Sequence, residues 1–163
     1  MLSPDILRDY VIRETLEYLG DLSSSAINLL LGTAAQESHL GKNMKSGRLF
    51  GLYQISPTSH RAVWDKYLIH EPEMASQVRG LAGQHSFLKD PNNELIGNMK
   101  YATAIAWAMY KRHISDLPDA DDVKGLAECW YKYYPHHGID YSSRNFVVSY
   151  YQLVHHLPVP VAA

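Results

Sequence analysis

The sequence predicts a mostly α-helical protein, a single domain of about seven helices. Apolar residues recur three and four positions apart along most of the chain, which is the period of amphipathic helices. Proline and glycine residues divide this pattern into segments of helical length. The chain has 163 residues, of which 46% are hydrophobic, enough for one buried core. We assign residues 1–21 to an N-terminal helix, 22–156 to the core and 157–163 to an extended tail.

The first two helices have clear start and stop signals. Pro4 opens an amphipathic segment that Gly20 ends. The three serines at 23–25 are N-cap residues for the next helix. Gly41 is a natural C-cap for it.

The middle of the chain predicts three more helices. A short one covers residues 57–67, and a second covers 72–88 with a break or bend near Gly80 and Gly83. A long helix then ends near Lys111.

Two helices follow towards the C-terminus. The segment 116–122 caps the first of them, and residues 135–138 end it. The last begins at Ser142 or Ser143 and stops before Pro158.

One carboxylate stands out at the end of the second helix. Glu37 follows the apolar face formed by residues such as Leu30 and Ala34. The negative end of the helix dipole and partial burial both raise a carboxyl pKa there. A carboxyl with a raised pKa suits general acid catalysis. On composition alone, a surface glutamate in a last helical turn is the more common explanation of such a residue.

Two motifs in order give the stretch around Glu37 a family resemblance. The first is Glu37-Ser38-His39-Leu40-Gly41-Lys42, and the second is Gly51-Leu52-Tyr53-Gln54-Ile55. Together they closely resemble goose-type lysozymes and soluble lytic transglycosylases of the lysozyme-like superfamily, here a phage-encoded member. The resemblance covers residues 22–156 and is strongest over residues 33–60.

The resemblance implies a site. A Glu-Ser pair ends a helix in that superfamily and supplies the catalytic acid, here Glu37, and a Gly-Leu-Met-Gln stretch walls the saccharide cleft. Residues 49–56 are then expected to form a small β-hairpin beside that cleft. The substrate-binding residues implied are Ser38, Tyr53, Gln54, Ile55, Asn98, Tyr131 and Tyr133.

The tyrosine whose hydroxyl points at the acid has three candidates. Aligned simply with the family's Ala-Tyr-Asn-Ala-Gly segment, Tyr131 takes this role. Some phage-encoded members carry a Trp-Lys-x-Tyr-Tyr-Asn run, which favours Tyr133 or Tyr134.

The implied reaction is cleavage of the peptidoglycan bond between MurNAc and GlcNAc by a lytic transglycosylase. Hydrolytic glycosidases use a second carboxylate, and the loop positions where goose-type enzymes carry aspartates hold none here. Asp65, Glu71 and Glu73 remain as second acids for the alternative, a goose-type muramidase. A catalytically silent glycan-binding virion protein and an unrelated helical interaction domain are further alternatives.

Metal and cofactor signals are weak. The nine histidines include the adjacent pairs 136–137 and 155–156, whose side chains point to different faces. No paired-cysteine or His-Glu-x-x-His pattern occurs, so we predict no metal and no cofactor. Cys129 is the only cysteine and is expected in the core.

The net charge and the search for targeting signals limit the classes of binding partner that we expect. The net charge of −2 and a pI near 6.5 argue against nucleic acid. No signal peptide or membrane-spanning run is visible. We therefore expect a monomeric enzyme whose partner is the peptidoglycan glycan strand. It would stay in the host cytoplasm until a holin releases it to the cell wall, or it would belong to a virion.

Overall fold

The computed structural model describes residues 1–138, 140–156 and 158–160. It confirms the mostly α-helical fold class, with a small antiparallel sheet. The helices are α1 (Pro4–Leu7), α2 (Arg13–Leu19), α3 (Ser24–Ser38), α4 (Pro57–Lys66), α5 (Pro72–Leu81), α6 (Gln84–Lys89), α7 (Glu94–Gly97), α8 (Met99–Lys111), α9 (Val123–Tyr133) and α10 (Ser143–Ser149). Arg8–Ile12 and Tyr150–Val154 are π-helical turns, and Leu68–His70 and Pro91–Asn93 are 3₁₀ turns.

Most helix boundaries follow the caps that the sequence indicates. The first helix runs through α1, a π-helical turn and α2 to Gly20, whose φ of 76° is left-handed. Ser23 caps α3 by accepting a hydrogen bond from the backbone N–H of Ala26 at 3.0 Å. Asn98 and Asp122 cap α8 and α9 in the same way.

The end of α3 differs from the prediction. The helix stops at Ser38, and His39 is its left-handed C-cap with a φ of 52°. Leu40 and Gly41 also have positive φ, 55° and 83°. The chain therefore turns sharply two residues earlier than a Gly41 cap would allow, directly after Glu37 and Ser38.

The small sheet is shifted from its predicted place. Strand β1 (Lys45–Ser46) pairs antiparallel with β2 (Leu49–Phe50) around a tight turn. Of the predicted range 49–56, only β2 and an isolated bridge between Phe50 and Ile55 belong to strand pairing. Gly51, at a φ of 80°, turns the chain out of β2 and so ends it early.

The core surrounds α3 and α8. Both helices are buried over most of their length, and α3 packs against α8, α9, α10 and the last π-helical turn. A helix that is apolar on nearly every side is stable only when it is enclosed in this way. Since α9 packs on α3, the last turn of α3 and the side chains of α9 meet at one place.

The C-terminal tail is described only in part. Of the tail predicted at 157–163, residues 158–160 lie outside any helix or strand, and residues 157 and 161–163 fall outside the described part of the chain. Within that part, no helix combines the length and the apolar character that a bilayer crossing requires.

Candidate functional site

The site is built around Glu37 in the last turn of α3. Trp130 of α9 donates a hydrogen bond from its indole Nε1 to Glu37 Oε1 at 2.9 Å. Trp130 itself is only 1% exposed, so the indole is held firmly by the core. The carboxyl group is thus fixed by a helix partner that lies far away in the sequence.

Burial changes the acidity of Glu37. Loss of water around the carboxyl raises its pKa from 4.5 to about 7, and the Trp130 hydrogen bond opposes this by favouring the charged form. Near neutral pH the group is divided between its protonated and ionised forms. It can therefore both give and take a proton, as a general acid and base must.

The second carboxyl oxygen of Glu37 keeps some contact with solvent. Among the described residues, Oε2 has no hydrogen-bond partner. Every fully buried side-chain oxygen or nitrogen of those residues does have one, so Oε2 is not fully buried. Oε2 is therefore accessible from outside, and Oε1 is the oxygen held by Trp130. The acidic proton would be carried on the open side.

Two buried tyrosines lie close enough to Glu37 to respond to its charge. Burial raises the pKa of the Tyr110 and Tyr134 hydroxyls far above the usual value, and the Glu37 charge raises both further. The Tyr134 hydroxyl donates to the Tyr53 carbonyl oxygen at 2.5 Å. The Tyr110 hydroxyl lies 2.7 Å from Thr33 Oγ1. Both tyrosines are neutral hydrogen-bonded supports of the site.

This arrangement corrects the assignment of Tyr131 as the tyrosine beside the acid. Tyr131 is 44% exposed, and its ring lies near those of His136 and Tyr141, at 6.1 Å and 5.6 Å. Tyr133 stacks on His113 at 5.7 Å. Of the three, Tyr134 is the one whose hydroxyl responds to the Glu37 charge, and that hydroxyl donates to the Tyr53 carbonyl oxygen.

Ser38 supports the site from below and has no sugar-facing surface. It is completely buried, and its hydroxyl donates to the Leu52 carbonyl oxygen at 2.6 Å. The Ser38 hydroxyl oxygen also accepts a hydrogen bond from the backbone N–H of Gly41 at 2.9 Å. Ser38 thus ties α3 to the turn that follows it and to the 51–54 segment. Its predicted substrate contact is corrected to a positioning role.

Replacing Ser38 with alanine should lower the free energy of unfolding by about 2 kcal/mol, because buried backbone partners lose their hydrogen bonds. Ser24→Ala, at the exposed start of the same helix, is the matched control. Urea unfolding measures both. Equal midpoints for the two variants would contradict this role of Ser38.

The 53–55 residues also differ from the prediction of direct sugar contact. Tyr53 and Ile55 are buried, at 0% and 2% exposure, and the Tyr53 hydroxyl lies 2.9 Å from Thr103 Oγ1. Gln54 is 3% exposed and donates from Nε2 to the carbonyl oxygens of Asn43 and Gly51. These side chains shape the wall beside Glu37 from inside, and they offer a sugar little surface.

Asn98 is engaged in a network of its own. It caps α8 by accepting from the Tyr101 N–H, and its Nδ2 donates to the Leu81 carbonyl oxygen and to Glu94 Oε2. Glu94 is a buried acid that also accepts from the Gly83 N–H. The predicted substrate contact of Asn98 is corrected to a capping role, because these partners occupy its side-chain amide.

The other acidic residues considered in the sequence lie on the surface. Asp65, Glu71 and Glu73 are exposed, at the end of α4 and the start of α5. In the described residues, the pKa of Glu37 is shifted by burial and by Trp130, with no contribution from another carboxylate. No grouping of three potential metal ligands is present there either.

A polar cavity opens between the end of α3 and α10, and Glu37 itself is not among its lining residues. It has a volume of about 490 Å³ and is lined by Gln36 and His39, the residues flanking the Glu37-Ser38 pair, and by α10 residues that include Asn145 and Ser149. Ser149 Oγ donates to Gln36 Oε1 at 2.7 Å. The end of α3 is thus fixed on this side as well.

No protein-family model, curated protein or solved structure matches the chain. The geometry of the site and the two motifs are therefore the basis on which a function is inferred.

The hydrogen bond from Trp130 to Glu37 was not predicted from the sequence. Trp130 lies on an apolar stripe of α9, and its burial agrees with a core position. The signal that could have found it is chemical: a buried indole N–H needs an acceptor. Glu37, at the end of a helix that packs on α9, is the acidic residue that supplies one.

Trp130→Phe should raise the pKa of Glu37 above its present value, because the hydrogen bond that favours the carboxylate is lost. The variant should also lose about 1–3 kcal/mol of stability. NMR titration of the Glu37 carboxyl carbon measures the first effect. Trp107→Phe is the control, since Trp107 donates to Asp21 at 2.8 Å, and it should leave the Glu37 titration unchanged. An unchanged titration in Trp130→Phe would overturn the assignment.

Proposed function

We propose that this protein is a peptidoglycan lytic transglycosylase with Glu37 as its single acid and base. The observation that carries the proposal is the state of Glu37: a carboxyl with a pKa of about 7, one oxygen held by Trp130 and the other open. The motif resemblance to goose-type lysozymes and soluble lytic transglycosylases places the same residue in the catalytic role.

The steps follow from that one carboxyl. Protonated Glu37 donates its proton from the open oxygen to the glycosidic oxygen. The bond between this oxygen and C1 of MurNAc breaks, and the GlcNAc end leaves with a new hydroxyl. The Glu37 carboxylate then takes the proton of the MurNAc 6-hydroxyl as that oxygen bonds to C1. The product is a 1,6-anhydro-MurNAc end, no water is consumed, and Glu37 is protonated again.

The surroundings of Glu37 favour this route over hydrolysis. A hydrolase uses a second carboxylate to activate water or to form a covalent intermediate. Asp65, Glu71 and Glu73 are exposed on α4 and α5, and none of them contributes to the Glu37 pKa. The intramolecular 6-hydroxyl removes the need for such a group.

The setting we propose is a phage or prophage. The enzyme would reach the wall through a holin pore or as part of a virion, and it would act on glycan strands as a monomer.

The product distinguishes the possible reactions. The protein is incubated with purified Gram-negative sacculi, and the soluble muropeptides are analysed by mass spectrometry. Products with anhydro-MurNAc ends support the proposal. Products heavier by one water would replace it with a muramidase, and peptidoglycan binding without soluble products would replace it with a silent glycan-binding protein.

A further inference from the structure

A second cavity, of about 380 Å³, opens at the start of α4. It lies between α4, the tight turn that joins β1 to β2, α6 and the 3₁₀ turn at Pro91–Asn93. Its lining includes Arg48, Pro57, Arg61, Trp64, Phe87 and Asn92. No role was predicted for this cavity from the sequence.

The wall of the cavity is aromatic and well fixed. The Trp64 and Phe87 rings meet edge to face at 6.1 Å, and Phe87 meets Tyr101 in the same way at 5.9 Å. Trp64 Nε1 donates to the Tyr101 hydroxyl oxygen at 3.0 Å. The wall can therefore pack against an apolar part of a ligand without rearranging.

The floor of the cavity is polar and has its hydrogen bonds satisfied. His60 Nδ1 lies 2.9 Å from Asn92 Oδ1, and His60 Nε2 lies 2.7 Å from the Tyr101 hydroxyl. Because Asn92 Oδ1 can only accept, Nδ1 carries the imidazole hydrogen and Nε2 accepts from Tyr101. The ring is then neutral, and the floor adds no charge.

Two arginines line the cavity, and a third, Arg79, lies over the Phe87 ring with its guanidinium carbon 4.3 Å from the ring centroid. Arg48 and Arg61 are exposed, and neither forms an ion pair within the described residues. The N-terminus of the ten-residue helix α4 adds a partial positive charge. Asp90 acts on His60 from nearby, but its carboxylate accepts from the Asn92 N–H and does not line the cavity. This combination suits a ligand with carboxylates on a small apolar body.

A short stretch of chain joins the cavity to the neighbourhood of Glu37. Ser38, next to Glu37, donates to the Leu52 carbonyl oxygen. Pro57, which lines the cavity, follows five residues later and can be at most about 18 Å from Leu52. The cavity and the Glu37-Ser38 pair are therefore connected through one short segment, residues 52–57.

We propose that this cavity binds the acidic stem peptide of peptidoglycan, with Arg48 and Arg61 holding its carboxylates and Trp64 and Phe87 packing on its alanine side chains. This inference rests on the proposed function and deepens it, since it names the part of the substrate that is recognised away from the cleaved bond.

The first test measures binding without catalysis. Free stem peptide, released from sacculi by an amidase, is titrated into the full-length protein by calorimetry. The wild type and Lys66→Ala should bind it, and the Arg48→Ala/Arg61→Ala variant should bind at least about tenfold more weakly. Lys66→Ala is the matched control, because this substitution removes an exposed positive charge of α4 that lies outside the cavity. Equal binding by all three proteins, or no saturable binding, would overturn the proposal.

The second test compares peptide-bearing glycan with strands stripped by the amidase. The double arginine variant should cleave the peptide-bearing strands about tenfold more slowly than the wild type and the stripped strands at an unchanged rate. Equal losses on both substrates would overturn the stem-peptide site and leave the transglycosylase proposal intact. Saturable peptide binding that needs both arginines, with no cleavage of either substrate, would instead refute the proposed function and support the peptide site.

Discussion

Replacing Glu37 with glutamine should abolish cleavage of glycan strands, with a loss of at least about a hundredfold in the rate of muropeptide release. Glutamine keeps the size of the side chain and can still accept the Trp130 hydrogen bond on its amide oxygen. It has no proton to give at the pH of the reaction. Mass spectrometry of soluble products measures the loss, and Glu17→Gln, at an exposed position on α2, is the control that should retain full activity.

The pKa of Glu37 also predicts how the cleavage rate of the wild type falls at alkaline pH. The proposed cleavage starts from protonated Glu37, whose pKa is about 7. The rate at low substrate concentration should therefore fall as the pH rises through 7, tenfold for each further unit. A rate that stays constant from pH 6 to pH 9 would show that Glu37 is not the acid.

The Glu37→Gln substitution should raise stability at alkaline pH, although it removes activity. The folded-state pKa of Glu37 lies above the ordinary 4.5, so the folded protein binds the proton more tightly than the unfolded chain. Wild-type stability is therefore lost as the pH rises from 4.5 through 7. Glu37→Gln carries no such cost, and at pH 8 it should be more stable by about 3 kcal/mol, a difference that disappears below pH 4.5.

Urea unfolding at pH 4 and pH 8 measures this effect. Equal stability of the wild type and Glu37→Gln at pH 8, together with lost activity, would show that the carboxyl is well solvated. Burial would then not explain how the Glu37 carboxyl keeps its proton near neutral pH. A gain in stability with full activity would contradict the catalytic role itself.

The local parts of the site could be predicted from sequence, because they depend on near neighbours. The Ser23 cap, the apolar face of α3 and the place of Glu37 in the last turn follow from short-range rules. So does the direction of its pKa shift. The left-handed turn through His39 and Leu40 could not be predicted, since non-glycine residues adopt it only when surrounding contacts hold them there.

The partners of Glu37 could not be predicted for a different reason. Trp130 is 93 positions away from Glu37, and which face of α9 meets α3 is set by packing of the whole core. The motif residues Ser38, Tyr53 and Gln54 raise the converse problem. Their place next to the acid in the sequence suggested contact with substrate, but the fold buries them. In this chain those three positions hold the acid and its wall in place.

Gly51→Ala should be strongly destabilising, and it tests how that wall is held. Gly51 has a φ of 80°, and a Cβ there would lie 1.7 Å from the Leu95 carbonyl oxygen and 2.6 Å from its carbon. These are backbone atoms that cannot rotate away, so the 51–54 turn must move. The expected loss in the free energy of unfolding is about 3 kcal/mol or more.

The matched control separates the two causes of that loss. Gly47 also has a positive φ, 57°, but a Cβ there would meet nothing within 4 Å. Gly47→Ala should therefore cost only the left-handed strain of about 1 kcal/mol. The turn at Gly51 carries the Leu52 carbonyl that Ser38 holds, so Gly51→Ala should also displace the end of α3 and lower the cleavage rate, whereas Gly47→Ala should preserve it. If urea unfolding gave both variants the same small loss, the close approach of the 51–54 turn to Leu95 would be wrong, and so would the account of Ser38 as the link between that turn and the acid.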